Sequence, residues 1–307
     1  YNSRLGKALM PLRYFFELTY RCNLQCPYCY LGQDRNKQEL TTQQWFDVIE
    51  QIPFYSFVTL VGGEPLIRKD FIPILEKTAN KTFGKLNVVT NGILINDEII
   101  DAFIRTQMML LSVSLDGYGK NHDKNRCKEG IFDEIISNLE KLNAKKGKTG
   151  KPMVDIKTIV LENNLDDLPK LYKLCNEMNF DFLSVSFLRN NDLKQSPNLR
   201  DSFGEEFYLQ KYPIKPYFNM EHFKEIYREI VEMSKKSKVN IRFSPKFEHN
   251  KNPLVKIEEF FSYDENKPIA EIYKPCLYPF SNMMINPQGD VYPCLSVKIG
   301  NVIDKGL

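Results

Sequence analysis

The segment FVTLVGG at residues 57–63 is the clearest guide to the fold. Five apolar or β-branched residues in a row predict a buried strand, and the glycine pair predicts the turn that ends it. An amphipathic helix carrying Phe71, Ile74 and Leu75 is predicted directly afterwards, with Asp70 as its N-cap. A strand followed by such a helix is the unit from which parallel α/β sheets are built.

The same unit recurs on both sides of this segment. We predict further strands at residues 14–18, 86–89, 110–115, 154–161 and 182–188, and helices at 41–52, 96–104, 131–146 and 168–178. Six strands with five intervening helices indicate an α/β protein with a parallel sheet, arranged as an open or closed barrel.

After residue 189 the pattern breaks. Residues 190–219 are polar and contain proline, which predicts a long loop or insertion, and a helix near 221–236 and a short strand at 239–243 follow. Residues 246–267 are highly charged and predicted to lie at the surface. We therefore predict a core domain at 1–245 with an insertion at 190–219, and a smaller domain at 246–307.

Composition and charge exclude several classes of protein. The 307 residues are 42% hydrophobic and 26% charged, as in globular proteins, and the formal net charge of +3 gives no reason to expect a nucleic-acid partner. No apolar run approaches the roughly 18 residues of a membrane span. Residues 1–10 lack the apolar core of a signal peptide. The expectation is a cytoplasmic protein with no membrane partner.

Seven cysteines are an odd number, and a disulfide framework explains them poorly. Cys22, Cys26 and Cys29 follow the first strand with the spacing C-x3-C-x2-C, and the strand ends of a βα barrel share one mouth, where active sites lie. A structural zinc site needs four ligands, but the next candidates are His122 and Cys127. Three thiolates on a cubane cluster leave one iron open, so the spacing favours an iron–sulfur cluster, with zinc as the alternative.

Residues 22–30, CNLQCPYCY, resemble the signature of the radical SAM superfamily. Further motifs similar to those of this family follow in order: GGEP at 62–65, TNG at 90–92, SVSLDG at 112–117 and HDKNR at 122–126. The resemblance extends over the whole βα region. It implies a partial (β/α)6 TIM-type barrel, a [4Fe-4S] cluster on the three cysteines, and S-adenosylmethionine (SAM) on the open iron.

The resemblance also assigns SAM contacts to eight residues around the barrel mouth: Tyr28, Gly62, Gly63, Glu64, Asn91, Ser114, Asp116 and Arg126. The two glycines are expected to let the backbone approach the ligand closely. Glu64 is expected to accept from the methionine ammonium group, and Arg126 to pair with the carboxylate. Ser114 and Asp116 suit ribose hydroxyls or the amine, and the backbone of Tyr28 the adenine edge. Taken singly, each is equally compatible with an ordinary turn or strand role.

Cys276 and Cys294 form a second group. The turn sequence NPQGD at 286–290 predicts a hairpin between them, and Gly289-x4-Cys294 followed by Gly300-Asn301-Val302 resembles the start of a SPASM or twitch extension, which implies an auxiliary iron–sulfur cluster. Two cysteines cannot complete a four-ligand cluster, so we expect further cysteines beyond Leu307 in a longer protein. The alternative is a pair of structural cysteines. Cys127 and Cys175 are expected to serve packing.

The resemblance implies an enzyme that cleaves SAM reductively to a 5′-deoxyadenosyl radical, which abstracts hydrogen from a substrate. The leading hypothesis is modification of a peptide or protein by crosslinking, epimerisation or oxidation. The alternative is dehydrogenation of a small sugar-like or aminocyclitol substrate, and a remote alternative is a non-catalytic iron–sulfur or zinc-binding protein. Expected partners are a reductant such as flavodoxin or ferredoxin and, because only 21 residues precede Cys22, a separate leader-peptide-binding protein. No catalytic residue is assigned beyond the cluster and SAM ligands.

Overall fold

Strands and helices alternate along the chain as the sequence predicts. A computed structural model describes residues 10–29, 31, 38–147, 150–187, 218–244, 281–293 and 298–307. The predicted insertion as far as residue 217, the charged segment 246–267, and Cys276 and Cys294 lie outside the described residues.

All six predicted strands are present, with ends that differ from the predictions by about one residue. A seventh, predicted as short, follows them, and three more belong to the C-terminal part of the chain. The strands are β1 Arg13–Glu17, β2 Phe57–Val61, β3 Leu86–Thr90, β4 Leu110–Ser114, β5 Met153–Val160, β6 Phe182–Phe187, β7 Asn240–Ser244, β8 Asn282–Ile285, β9 Asp290–Tyr292 and β10 Gly300–Asn301.

Six helices lie where the sequence predicts them, and two short helices were not predicted. They are α1 Thr42–Gln51, α2 Phe71–Thr82, α3 Asp97–Arg105, α4 Lys120–Arg126, α5 Ile131–Lys146, α6 Leu168–Glu177, α7 Met220–Ser234 and α8 Val302–Lys305. Helix α4 was not predicted, because its sequence KNHDKNR has no apolar stripe. None of the helices in the described ranges combines the length and apolar character that a membrane span requires.

Helix starts follow the predicted capping chemistry in two cases and depart from it in a third. Thr41 and Gln44 form a reciprocal capping box at the start of α1. Asn96 accepts a hydrogen bond from the backbone N–H of Ile99 at the start of α3. Asp70 occupies the N-cap position of α2 but makes no cap bond, so the predicted side-chain cap is wrong. Its carboxylate instead accepts hydrogen bonds from Arg68 and from the hydroxyl of Thr42.

The ten strands form one sheet in the order β10-β9-β8-β1-β2-β3-β4-β5-β6-β7. Every neighbouring pair from β8 to β7 is parallel, and β9 and β10 add antiparallel pairs at one end. Within the described residues β10 and β7 are the edges, so the sheet is an open, partial barrel. The α/β class and the C-terminal β-hairpin are confirmed, and β8 extends the parallel sheet beyond β1.

The two faces of the sheet differ in character. Side chains such as Leu60, Val88 and Leu111 point towards the helices and join one hydrophobic core with residues of α1, α2, α3, α5, α6 and α7. The opposite, inner face carries buried polar side chains, among them Ser112 and Asp155. Because side chains alternate along a strand, apolar packing against the helices leaves every second position available for polar groups inside the barrel.

Candidate functional site

The loop that carries Cys22, Cys26 and Cys29, residues 18–29, leaves the end of β1 and lies against the end of β2. The backbone N–H of Leu18 donates to Val61 (2.8 Å), that of Gly63 donates to Thr19 (2.7 Å), and that of Glu64 donates to Arg21 (2.9 Å). Three backbone hydrogen bonds therefore tie this cysteine loop to the end of the neighbouring strand, immediately before its first cysteine.

The glycine pair is what allows this close approach. A Cβ atom on Gly62 would lie 2.3 Å from the carbonyl oxygen of Thr19, and Gly62 has a φ of +143°. A Cβ on Gly63 would lie 2.3 Å from the carbonyl oxygen of Arg21 and 2.7 Å from that of Tyr20. These contacts are with backbone atoms, which cannot move aside without shifting the loop. The structure thus shows that both glycines pack against the cysteine loop, a role that the sequence did not indicate.

Gly63→Ala is expected to lower the free energy of unfolding by about 2 kcal/mol or more and to reduce the iron bound after reconstitution, because the new methyl group displaces the cysteine loop. Urea unfolding and iron content per chain measure the two effects. Gly300→Ala is the matched control: a Cβ there meets nothing within 4 Å, so a change within about 0.5 kcal/mol is expected. Equal behaviour of the two variants would contradict the steric argument.

The three cysteines are partly buried free thiols. The sulfur of Cys22 accepts from the backbone N–H of Leu24 (3.4 Å), and the side-chain amide of Asn91 lies 3.9 Å from it. The sulfur of Cys26 lies 3.8 Å from Nη1 of Arg126. The backbone N–H of Cys29 donates to the carbonyl of Cys26 (3.1 Å). Donors directed at sulfur stabilise a thiolate and tune a bound cluster.

The thiols suit a cluster better than a single ion. Within the described ranges, no three or more His, Cys, Asp or Glu side chains form a group that could hold one metal ion. In a cubane each cysteine binds a different iron, so the sulfurs need to surround a volume instead of meeting at a point. Burial raises the pKa of the Cys26 thiol to about 11, with a smaller opposing effect of Arg126. Repulsion from Cys29, Asp116 and Cys22 raises the pKa of Cys26 further.

Glu64 is fully buried at the centre of the mouth. One carboxylate oxygen accepts from the hydroxyl of Thr90 (2.8 Å) and the backbone N–H of Leu66 (3.1 Å), and the other accepts from the backbone N–H of Asn91 (2.7 Å). Burial raises the pKa of Glu64 to about 7, although these hydrogen bonds lower it. The TNG segment therefore meets the GGEP segment through the carboxylate of Glu64.

The raised pKa of Glu64 predicts a pH dependence of stability. The folded chain holds a proton that the unfolded chain releases, so this contribution is complete below the unfolded pKa of 4.5 and is lost as the pH rises through about 7. In SAM-free protein, the free energy of unfolding should fall by about 1 kcal/mol between pH 6.5 and 8. Urea unfolding at both values measures it.

The matched variant is Glu64→Gln. Whatever its absolute stability, it should lack the fall in the free energy of unfolding that Glu64 causes between pH 6.5 and 8. Burial lowers the pKa of His122 from 6.5 to about 4, so its own contribution makes stability rise slightly with pH in the lower part of this window. That contribution is common to wild type and Glu64→Gln, so the difference between their two pH profiles isolates Glu64. Parallel pH profiles for wild type and variant would refute the assignment.

Asp116 and Arg126 form a nearly buried ion pair beside the cysteine loop. The side chain of Asp116 is 1% exposed and that of Arg126 14%, and Nη2 of Arg126 contacts Oδ2 of Asp116. The same oxygen accepts from the hydroxyl of Tyr28 (2.6 Å), and Oδ1 accepts from the backbone N–H of Ile159 (2.8 Å). Burial alone would lower the pKa of the Arg126 guanidinium, but Asp116 and then Tyr28 raise it. Residues from β4, α4, β5 and the cysteine loop thus meet at one carboxylate.

Two neighbours hold the backbone of the loop after β4. Nδ1 of His122 accepts from the backbone N–H of Asp116 (3.1 Å), and the amide of Asn125 donates to the carbonyl of Asp116 (2.6 Å). Asp123 accepts from the backbone N–H groups of Gly130 and Phe132. These side chains of α4 bond to loop backbone, consistent with the expectation that His122 and Asp123 shape the loop.

Asn91 and Ser114 complete the set of predicted residues that the structure describes. The amide nitrogen of Asn91 donates to Oδ1 of Asn23 (2.7 Å), which joins the end of β3 to the cysteine loop. Ser114 is the last residue of β4 and lies beside Lys157 in the sheet register. Seven of the eight predicted SAM contacts therefore lie at the carboxyl ends of β1 to β4 or in the loops that follow them, and the eighth, Arg126, is the last residue of α4.

The sequence analysis missed a buried cation that supports the cysteine loop. The guanidinium of Arg68 donates to the carbonyl of Leu18 (2.9 Å) and of Leu40 (3.1 Å) and forms ion pairs with Glu39 and Asp70. It fixes the last residue before the loop turns away from β1. One sequence feature could have indicated this role. Arg68 directly follows the apolar turn Pro65–Ile67 and lies two positions before the acidic Asp70.

Comparisons with known proteins agree with this geometry. The family model described as Radical SAM superfamily matches residues 16–175, just over half of the chain, and that of an iron-sulfur cluster-binding domain, SPASM, matches residues 276–307. Streptococcus suis SuiB bound to precursor peptide SuiA is a similar structure, with 17% identity and a TM-score of 0.71, covering 99% of this chain and 65% of SuiB. Native anSMEcpe with bound AdoMet and Cp18Cys peptide has 19% identity and a TM-score of 0.64, covering 97% and 79%.

The chain spans less than two thirds of the length of SuiB. It belongs to the radical SAM superfamily and carries a C-terminal SPASM iron–sulfur domain, so it is a radical SAM enzyme. Its cofactors are accordingly a [4Fe-4S] cluster and SAM, with auxiliary iron–sulfur binding in the C-terminal domain.

Proposed function

We propose that this chain is a radical SAM maturase that modifies a peptide or protein substrate. The observation that carries the proposal is the mouth itself, where three thiols lie beside a buried carboxylate and a buried guanidinium. When bound together, the cluster and SAM supply a 5′-deoxyadenosyl radical that abstracts hydrogen from the substrate. The protein positions these groups and excludes water.

We assign the cluster to Cys22, Cys26 and Cys29. The amide of Asn91 and the guanidinium of Arg126 are directed at two of the sulfurs, where they offset the negative charge of a thiolate-bound cluster. Cys276 and Cys294 are assigned to the auxiliary site in a domain that we place at 246–307.

We assign SAM to the surrounding groups. Each oxygen of Glu64 can accept two hydrogen bonds, and the oxygen that receives only the Asn91 N–H is free to accept from the methionine ammonium. Nε of Arg126 is buried and has no hydrogen-bond partner among the residues that the structure describes. An unmet donor at a buried guanidinium suits the methionine carboxylate. Ser114 and Asp116 remain assigned to the ribose or amine.

For Gly62, Gly63 and Tyr28, contacts within the protein add to the SAM-binding roles that the sequence suggested. Gly62 and Gly63 bring the backbone of β2 against the cysteine loop, which places the ligand-binding strand end next to the cluster ligands. The hydroxyl of Tyr28 donates to Asp116, so the side chain of Tyr28 is anchored while its backbone stays available for the adenine edge.

A peptide substrate is supported by the similar structures, two of which contain peptides. We infer a cytoplasmic enzyme that receives electrons from a flavodoxin or ferredoxin. The second candidate function, dehydrogenation of a small aminocyclitol or sugar, rests only on the breadth of the superfamily.

The test is a comparison of substrates on one enzyme preparation. Reconstituted chain with dithionite and SAM is incubated with short peptides encoded beside its gene, or with a panel of aminocyclitols. A rise in 5′-deoxyadenosine above the substrate-free level, together with a mass change in the peptide, is the expected result. A rise with an aminocyclitol alone would favour the second candidate. No 5′-deoxyadenosine under any condition would remove both.

A further inference from the structure

The inner face of the sheet carries a row of polar residues beside the proposed SAM site. Ser114 on β4 lies level with Lys157 on β5, Lys157 with Ser184 on β6, and Ser184 with Arg242 on β7. The alternate residues Val113, Ile156 and Val185 belong to the core beneath the helices. The row Ser114-Lys157-Ser184-Arg242 therefore faces the barrel interior, where a substrate reaches the cluster end of the barrel.

Among the described residues, Lys157 makes no side-chain hydrogen bond, and its ion-pair partner Asp155 is distant. Its side chain is 43% exposed, and its Nζ lies 3.9 Å from Oδ2 of Asp155, which is beyond hydrogen-bond distance. Asp155 is satisfied by the hydroxyls of Ser184 (2.7 Å) and Ser112 (3.3 Å). The ammonium group is thus available to a ligand, while the nearest carboxylate is held by neutral donors.

Arg242 is the second cation of the row. Its guanidinium lies 3.4 Å from the ring centroid of Phe182, one strand away. Stacking of this kind fixes the plane of the guanidinium and leaves its N–H edges open to an acceptor. Lys157 and Arg242 lie two strands apart, about 10 Å between backbones, which two long side chains can span around one anionic group.

The charges facing Lys157 across the barrel are mainly positive. Partial burial lowers the pKa of the Lys157 ammonium group, Asp155 raises it, and Arg13 on β1 and Arg242 lower it further. Besides Asp155 on β5, the inner face carries a second carboxylate, that of the buried Glu17 on β1. Counted over the described strands alone, this face carries three cations and two carboxylates, a net positive charge that favours an anionic ligand.

We propose that Lys157 and Arg242 form a carboxylate-binding site for the substrate, next to the SAM site. This proposal rests on the proposed peptide-modifying function and deepens it, because it assigns the substrate an acidic group near the reacting position. The carboxylate has two possible sources, an Asp or Glu side chain or a free C-terminus, and the experiment separates them.

The experiment uses the reconstituted full chain saturated with SAM and three pools of random hexapeptides. One pool carries a single Glu and a C-terminal amide, the second carries Gln in place of Glu with the same amide, and the third carries Gln with a free C-terminal carboxylate. Peptides retained by the chain are quantified by mass spectrometry. Retention of either carboxylate pool about tenfold above the Gln amide pool is expected, since a hydrogen bond to a charged group has this effect.

Variants of Lys157 and Arg242 test whether the preference for carboxylate peptides depends on these two cations. Lys157→Met should reduce it to near unity, Lys157→Arg should restore most of it, and Arg242→Met should weaken it. Lys85→Met is the matched control, because Lys85 lies at the opposite end of the barrel beside Phe83 and should keep the full preference. Iron content and the midpoint of thermal unfolding confirm that each variant folds.

Equal retention of all three pools by wild type would overturn the proposal, as would a preference that survives in Lys157→Met. A Lys157→Met variant that loses SAM affinity tenfold but keeps its peptide preference would assign the site to the methionine carboxylate instead, which also overturns it. This readout needs no turnover, so failure of the proposed function, seen as absent 5′-deoxyadenosine, is distinguishable from failure of the carboxylate site.

Discussion

Release of 5′-deoxyadenosine is expected to fall by more than about two orders of magnitude in Cys26→Ala, because even residues that only support a metal ligand contribute 10- to 100-fold. Cys26 is the middle cysteine of the loop, and its sulfur faces Arg126. Removal of this thiol leaves two cysteines, too few to hold a cubane by three corners. The measurement is 5′-deoxyadenosine per chain after anaerobic reconstitution with dithionite and SAM.

The control for this variant is Cys127→Ala. Cys127 is exposed, its sulfur lies 3.8 Å from the carbonyl of Lys124, and it does not belong to the C-x3-C-x2-C loop. It should retain wild-type iron content and wild-type release. Loss of release in both variants, or retention in Cys26→Ala, would show that the C-x3-C-x2-C loop does not hold the cluster.

Arg126→Met is expected to lower the free energy of unfolding by about 3–5 kcal/mol, because it leaves the carboxylate of Asp116 buried without its counter-ion. The same change removes the donor beside Cys26 and the proposed contact with SAM, so 5′-deoxyadenosine release should fall as well. Urea unfolding and the release assay measure the two losses independently. Arg105→Met, which breaks an exposed pair with Glu76, is the matched control and should cost less than about 1 kcal/mol.

The double variant Asp116→Asn/Arg126→Met separates the two effects. It removes both charges, so most of the lost stability should return, while release stays low because the guanidinium is still absent. If the double variant is as unstable as Arg126→Met, the unpaired carboxylate of Asp116 is not the cause of the lost stability.

Local patterns in the sequence predicted much of the architecture. The apolar run at 57–61 gave the bounds of β2, and the stop signal at Gly62-Gly63 coincides with its end. Helix α4 escaped prediction because its contacts, such as those of His122 with the loop backbone, come from tertiary structure and leave no amphipathic period. Asp70 was placed correctly but given the wrong bond, because Arg68 competes for its carboxylate.

In the candidate site, too, the sequence predicted which residues matter but not the contacts between them. Motif resemblance selected Glu64, Asp116 and Arg126 before any geometry was known, and the structure brings them to one mouth. Sequence could not show that Glu64 receives donors from Thr90 and Asn91, or that Arg126 is already paired with Asp116. Such contacts join residues far apart in the chain, where spacing carries no information.

The pairing of β8 with β1 also affects how the protein is made. Arg13 pairs with Asn282, so one side of β1 has no described partner until residues 282–285 have left the ribosome. The strand that leads into the cysteine loop therefore gains its second neighbour long after the other βα units can fold, and contacts of such long range slow folding.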